Sequence, residues 1–329
     1  MKNAKLTQFL IALTFLPAVV SAQDVSSAAA AGPAAQAAPA APSPVDDALA
    51  RLKSGTDDER RVAAETLGQL RDPKGAPGLI EALGDPSARV RQAAEDALGL
   101  MTWRPAADKL SQMLLNDQDP SVRQQAAISL AYILDPKTGP ALQAALKDDS
   151  MPVRYAALHA LGMLRYSPAE KEIAGMLSSD DVTLRRGAIA ALGQLGAKDE
   201  AGDVSKYLDD KDPYVRIEAI KALGDIGDAS AAPGLVKLLA ATEPSSVRME
   251  AALSLSKMGM PDGVSTAYEF VKSPDMSLRT KALDVIAQAG DARSLQFLDT
   301  IYNEEQDPAD KSLVDLSRQR LNARLSAQK

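Results

Sequence analysis

Apolar and small residues recur along this chain in one pattern, repeated every 31 or 32 residues. Each copy can be counted from an arginine taken as position zero: Arg60, Arg91, Arg123, Arg154, Arg185, Arg216, Arg248 and Arg279. Position 3 is alanine in all eight copies, from Ala63 to Ala282, and position 7 is leucine from Leu67 to Leu255, then Ile286. Position 10 is apolar throughout, and Val or Leu precedes the arginine in every copy but the first, where Glu59 stands. Residues at −1, 3, 7 and 10 lie on one stripe of a 3.6-residue helix, whereas a strand would change faces at every step. Each arginine therefore marks an amphipathic helix. Position 8 is glycine in five copies, among them Gly68, Gly193 and Gly224. Glycine inside a helix costs about 1 kcal/mol relative to alanine, so its recurrence predicts either close contact between helix backbones or an early helix end.

A shorter apolar segment precedes each arginine helix, as in Ala76 to Leu83 and Pro140 to Leu146. Several of these open near proline, which fits the first helical turn because the N–H it lacks has no partner there. Acidic turns such as Asp85-Pro86, Asp119-Pro120 and Asp212-Pro213 join the two segments, the acid placed to cap and the proline to start the next helix.

The unit is thus helix, acidic turn, helix. Its clearest copy, Asp-Pro-Tyr-Val-Arg-Ile-Glu-Ala-Ile-Lys-Ala-Leu-Gly from Asp212 to Gly224, resembles the HEAT repeat, and more closely the short HEAT-like repeats named after phycobilisome lyases. Eight copies and a degenerate ninth cover roughly residues 45–327. The resemblance implies an all-α fold, a right-handed α-solenoid of about nine helix pairs over 45–329 that ends in a capping helix. The family includes scaffolds, inhibitors, lyases and hydroxylases, so it narrows function little.

Residues 1–22 read as an export signal: Lys2 and Lys5, an apolar stretch from Leu6 to Val20, then Val20-Ser21-Ala22 as a cleavage site. The stretch is short of the ~20 apolar residues a membrane span needs, and Pro17 interrupts it. Residues 23–44, mostly Ala, Pro, Ser and Gln, read as a disordered tether. These features predict a secreted or periplasmic chain with no integral membrane segment once the signal is removed. Zero cysteines exclude disulfides and thiolate sites, and a net charge of −7 with acids spread among the turns argues against nucleic acid.

Chemistry is sparse. The family's hydroxylases hold two irons with several His-Glu pairs, but this chain has one histidine, His159, followed by Ala160. No metal site, cofactor site, catalytic residue or GxSxG elbow is expected. Acid pairs such as Asp148-Asp149 fall in turns, not across a cleft. The bilin lyases lack a compact signature, but export would separate this chain from cytoplasmic pigment assembly. The expectation is a non-enzyme.

The recurring arginines are read as a structural ladder, each pairing with acidic turn residues of its own or the neighbouring repeat. In the arginine helix, positions 1, 5 and 9 lie off the packing stripe and face the groove. Most are polar, but in repeats two to four they include Leu100, Ile128, Tyr132, Tyr155, His159 and Met163, with Trp103 and Tyr166 just past helix ends. An apolar, aromatic patch of this kind suits a protein-binding site. The expected function is an exported scaffold, adaptor or regulator that presents a concave groove to a protein or extended peptide. The polar last helix favours a monomer. The alternatives are an enzyme or accessory subunit of the lyase-like branch, or a small-ligand or cell-wall binding module.

Overall fold

The computed structural model describes residues 43–327, and in them the chain folds as an α-solenoid with no strand among the described residues. The expected leader over 1–22 and nearly all of the expected tether over 23–44 lie outside the described residues. Among the described residues, eighteen α-helices form nine successive pairs. They are α1 (Pro44–Ser54) with α2 (Asp57–Leu70), α3 (Ala76–Ala82) with α4 (Ala88–Leu100), and α5 (Ala107–Asn116) with α6 (Pro120–Ile133). Next come α7 (Gly139–Ala145) with α8 (Met151–Leu164), α9 (Glu170–Gly175) with α10 (Val182–Leu195), and α11 (Ala201–Ser205) with α12 (Pro213–Ile226). The array ends with α13 (Ala232–Lys237) and α14 (Ser245–Lys257), α15 (Val264–Phe270) and α16 (Met276–Ala289), and α17 (Ala292–Glu304) and α18 (Pro308–Ala327).

The even-numbered helices form an unbroken row, each packed on the next from α2 to α18, and each odd-numbered helix packs on its own partner. Small residues draw the row together. A Cβ added to Gly68 would stand 2.8 Å from Ala97 Cα, one on Gly193 2.8 Å from Ala222 Cα, and one on Gly224 2.7 Å from Ser254 Cα. Position 8 is therefore glycine where the next even helix presses against it. The alanines at position 3 and leucines at position 7 are almost wholly buried and line the core. That core is continuous from Val45 to Leu255, and a second cluster from Met249 to Leu321 meets it at α14.

Turn chemistry separates two jobs given to acidic residues. In Asp117-Gln118-Asp119, Asp119 caps α6 by accepting from Ser121 N, while Asp117 takes an arginine from the preceding repeat. The even helices stop one residue after position 10, at a left-handed residue in seven copies: Arg71, Thr102, Leu134 and Arg165 in the first four, Gly196, Gly227 and Gly259 in the next three. The last helix closes the core with Val314 and Leu321, while its Arg320 donates to Asp284 Oδ1 (2.7 Å) in the preceding repeat.

Candidate functional site

The arginine ladder runs along one edge of the even row, and the first three rungs are alike. Arg60 Nε and Nη2 donate to the two carboxylate oxygens of Asp85 (2.7 and 2.9 Å), Arg91 does the same to Asp117 (2.8 and 2.8 Å), and Arg123 to Asp148 (2.7 and 2.9 Å). Each acceptor belongs to the turn of the next repeat and sits six residues before the next arginine. Nη1 anchors the fork to backbone carbonyls, Gly55 O for Arg60, Asp85 O for Arg91 and Asp117 O for Arg123. Hydrogen bonding from Arg60 holds the Asp85 carboxyl below its ordinary value. A planar fork meeting a carboxylate through two parallel bonds fixes angle as well as distance, so each rung sets how one repeat sits on the next.

Later rungs use other acids. Arg216 reaches Glu243 (2.9 Å), Arg248 reaches both oxygens of Glu269 (2.8 and 2.9 Å), and Arg279 reaches Asp310 (2.8 Å). Arg154 and Arg185 have no carboxylate within 4.0 Å among the described residues.

The face of the even row divides the candidate patch. Tyr132 (52% exposed) on α6 and Tyr155 (37%), His159 and Met163 (40%) on α8 are open to solvent. Leu100 and Ile128 are half-buried on the same row, and Ile128 packs against the core. Trp103 and Tyr166 do not join this face. Both pack on the core at helix ends, Tyr166 so closely over Gly139 that a Cβ there would collide with its ring. Past a helix end the 3.6-residue spacing no longer says where a side chain points, which is why it misplaces these two.

Farther along the row, charge replaces apolar surface. Lys257 pairs with Asp225 (2.7 Å), Lys281 with Glu250 (2.7 Å) and Arg320 with Asp284 (2.7 Å), each bond crossing between successive even helices. Burial raises the carboxyl of Glu218, also on this face, with Lys221 and Arg186 opposing it.

Glu95 on α4 carries a carboxyl that the arginine-centred pattern does not single out. It is fully buried and neither oxygen has a hydrogen-bond partner. Burial, and next the charge of Asp117, push its carboxyl up to about 9. Position 4 is otherwise Ala64, Ala127, Leu158, Ile189, Ile220, Ala252 and Leu283, all buried. Reading that column alone would have exposed one acid among apolar residues.

No group of three or more His, Asp or Glu able to hold a metal occurs among the described residues, and no helix among them is long and apolar enough to cross a membrane. HEAT repeats match residues 45–114, 107–177, 169–256 and 235–314. The bilin biosynthesis protein PecE of Mastigocladus laminosus is 34% identical over 123 residues, which span 37% of this chain and 45% of that protein. The chain thus covers under half the length of this relative. The complex of CpcE and CpcF of phycocyanin lyase from Nostoc sp. PCC7120 is 25% identical, with a TM-score of 0.47, over 78% of this chain and 99% of that one. YibA of E. coli shares the fold at 18% identity and a TM-score of 0.52, over 82% of this chain and 98% of its own.

The match to PecE overturns the expectation of a non-enzyme. That expectation rested on scarce histidine, absent cysteine and no compact catalytic motif. A bilin biosynthesis protein carries the same repeat at 34% identity, so the repeat serves in enzyme systems and the missing side chains do not decide the matter.

Proposed function

Because the chain belongs to the HEAT repeat family, we propose that it serves as the partner-binding, accessory subunit of a lyase-type enzyme. The observation that carries this reading is the 34% identity to a bilin biosynthesis protein, and the exposed side chains of α6 and α8 give it a physical form. Tyr132, Tyr155, His159 and Met163 project from two adjacent helices whose backbones are fixed by the packed core beneath. Tyrosine and methionine present large apolar area, and tyrosine keeps a polar tip that need not be stripped of its hydrogen bond on docking. A rigid platform also lowers the ordering cost of association. Tyr155 is itself held in place, its ring lying over Gly187 of the next even helix, where a Cβ would approach within 3.0 Å. In this reading the partner is a protein, and the solenoid positions it.

Export to the periplasm or outside the cell belongs to the same proposal and rests on the basic, apolar and small-residue order of residues 1–22. Cell fractionation checks it directly, and a full-length protein retained in the cytoplasm removes it.

The deciding experiment is capture of partners by the chain from Gln23 onward, beside a Tyr132→Ala/Tyr155→Ala variant. Capture by the wild type is expected to fall at least tenfold in the variant, with its circular dichroism melt unchanged. The captured partner is then assayed for lyase activity with and without this chain. Equal capture by both proteins rejects the aromatic face, and a partner fully active alone rejects the accessory role.

A further inference from the structure

From the missing rungs of the ladder, we infer that repeats four to six form a hinge between two braced halves of the solenoid. Arg154 and Arg185 are oriented as the paired arginines are. Arg154 Nη1 donates to Asp148 O (2.6 Å) and Asp149 O (3.2 Å), and Arg185 Nη1 to Ser179 O (2.8 Å) and Asp180 O (3.1 Å), as Arg91 Nη1 does to Asp85 O and Pro86 O. The Nε–Nη2 edge that takes an aspartate bidentately in the first three rungs is left without a carboxylate in both.

The cause at the first open joint is one residue. Ser179 occupies the rung position held by Asp85, Asp117 and Asp148, and makes the same local bond, accepting from the N–H two residues on (Asp181 N, 3.2 Å). Its hydroxyl is too short to span the joint. Other rungs that lack aspartate at this position are compensated: where Thr242 stands, Glu243 takes Arg216, and where Ser273 stands, Glu269 takes Arg248. At Ser179 nothing compensates. The next rung has its acid, Asp210, but a cleft of about 610 Å³ lies between, lined by Val182, Arg185, Asp209, Asp210 and Pro213. A second cleft of about 350 Å³ opens at the far ends of the same helices, beside Met163, Arg165, Gln194 and Asp225.

At the wall of that second cleft, which Gly162 and Gly193 also line, the even row stays in close contact. Cβ atoms added at Gly162 and Gly193 would stand 3.2 Å and 2.8 Å from the Cα atoms of Ala191 and Ala222. A close small-residue contact at one end of the helices, opposite a cleft at the other end where the edge brace is absent, is the geometry of bending about that contact. The outer layer is thin here, α9 and α11 having only six and five residues, and side-chain bonds cross it: Gln143 Nε2 to Glu172 (2.8 Å) at the first joint and the Tyr207 hydroxyl to Leu177 O at the second. The hinge separates the aromatic face on α6 and α8 from the ion-paired face beyond α12, so bending changes how the two are presented to one partner.

Cysteine is absent from the chain, which suits distance measurement between paired spin labels. Labels on Glu81→Cys/Ala144→Cys span the two braced joints from repeat two to four; Ala144→Cys/Lys206→Cys spans the two open joints from four to six. The expected result is a distance distribution at least twice as broad for the second pair, narrowed by adding Ser179→Asp, which also raises the melting temperature by about 2 °C. Arg154→Gln should lower that temperature much less than Arg123→Gln, which breaks an existing bidentate pair. This comparison stands even if Ser179→Asp folds poorly. Equal widths for the two label pairs, or equal losses for the two arginine variants, overturn the hinge.

Discussion

The two ends of the even-helix row use one backbone plan for opposite purposes, and two buried glutamates show the difference most plainly. Glu95 in repeat two is fully buried beside the Arg91–Asp117 rung with no partner for either oxygen. Glu250 in repeat seven is also buried, but Lys281 from the next even helix bonds it at 2.7 Å. Around Glu95 the row leads to free apolar side chains, Tyr132, Tyr155 and Met163; around Glu250 it is laced by Lys257–Asp225 and Arg320–Asp284. The second region pairs its buried acid with a cation from the next helix. The first leaves apolar surface uncommitted and carries an unpaired acid in its core, a local inconsistency that costs stability.

The largest expected effect removes the unpaired acid. Glu95→Leu gives repeat two the residue that Leu158 and Leu283 supply at the same position. The Glu95 carboxyl is raised from 4.5 to about 9, so its contribution to folding is whole below pH 4.5 and is lost as pH rises through 9. At pH 7 the loss is about 3 kcal/mol, and the variant should be more stable by about that much. Urea unfolding at pH 5, 7 and 9 should show the advantage small at pH 5 and growing by roughly 1.4 kcal/mol per pH unit. Parallel pH profiles for the two proteins would sink this account of Glu95.

Lys281→Met is the mirror experiment. It leaves Glu250 buried without its cation, as Glu95 already is. A fully buried pair broken on one side costs about 3–5 kcal/mol, and because Lys281 remains 30% exposed the expectation here is nearer to about 2 kcal/mol. The double variant Glu250→Leu/Lys281→Met should recover most of that loss, since no charge is then stranded. A double variant as unstable as Lys281→Met would mean that packing, not the stranded carboxylate, sets the cost.

How much of this was legible from residues alone follows from what periodicity can and cannot carry. Position 3 alanines and position 7 leucines repeat in register, so the helix pairs, the buried stripe and the close approach at Gly68, Gly193 and Gly224 could be read directly. Off-stripe positions on the same helices could be read too, and Tyr132, Tyr155, His159 and Met163 are exposed where the spacing puts them. Trp103 and Tyr166 lie past helix ends, where the chain turns back and the helical angle stops holding. The ladder partners could be read only as acidic turns. That Asp117 takes an arginine while Asp119 caps a helix depends on turn geometry two residues wide. The open rung at Arg185 was invisible, because Asp210 is present in sequence and absent only in space. The enzyme question was misjudged for a different reason: it was asked of side chains, whose absence the 34% identity to a bilin biosynthesis protein shows to be no guide.

The smallest effect tests the same division at the ends of the even helices. Every left-handed residue there stands in a region that costs a side-chain-bearing residue about 1 kcal/mol or more and costs glycine nothing. Repeats one to four place Arg71, Thr102, Leu134 and Arg165 in it, and repeats five to seven place Gly196, Gly227 and Gly259. Thr102 has φ of 49° and is β-branched, the least suited type, so Thr102→Gly should stabilise by about 1 kcal/mol. Gly196 has φ of 70° with no atom within 4 Å of an added Cβ, so Gly196→Ala meets no clash and should destabilise by about 1 kcal/mol through backbone strain alone. Opposite signs of similar size, measured by urea unfolding, would show that the first half carries backbone strain the second half has removed. Reversed signs, with Thr102→Gly destabilising and Gly196→Ala stabilising, would place the difference in the unfolded chain, where glycine adds entropy wherever it stands.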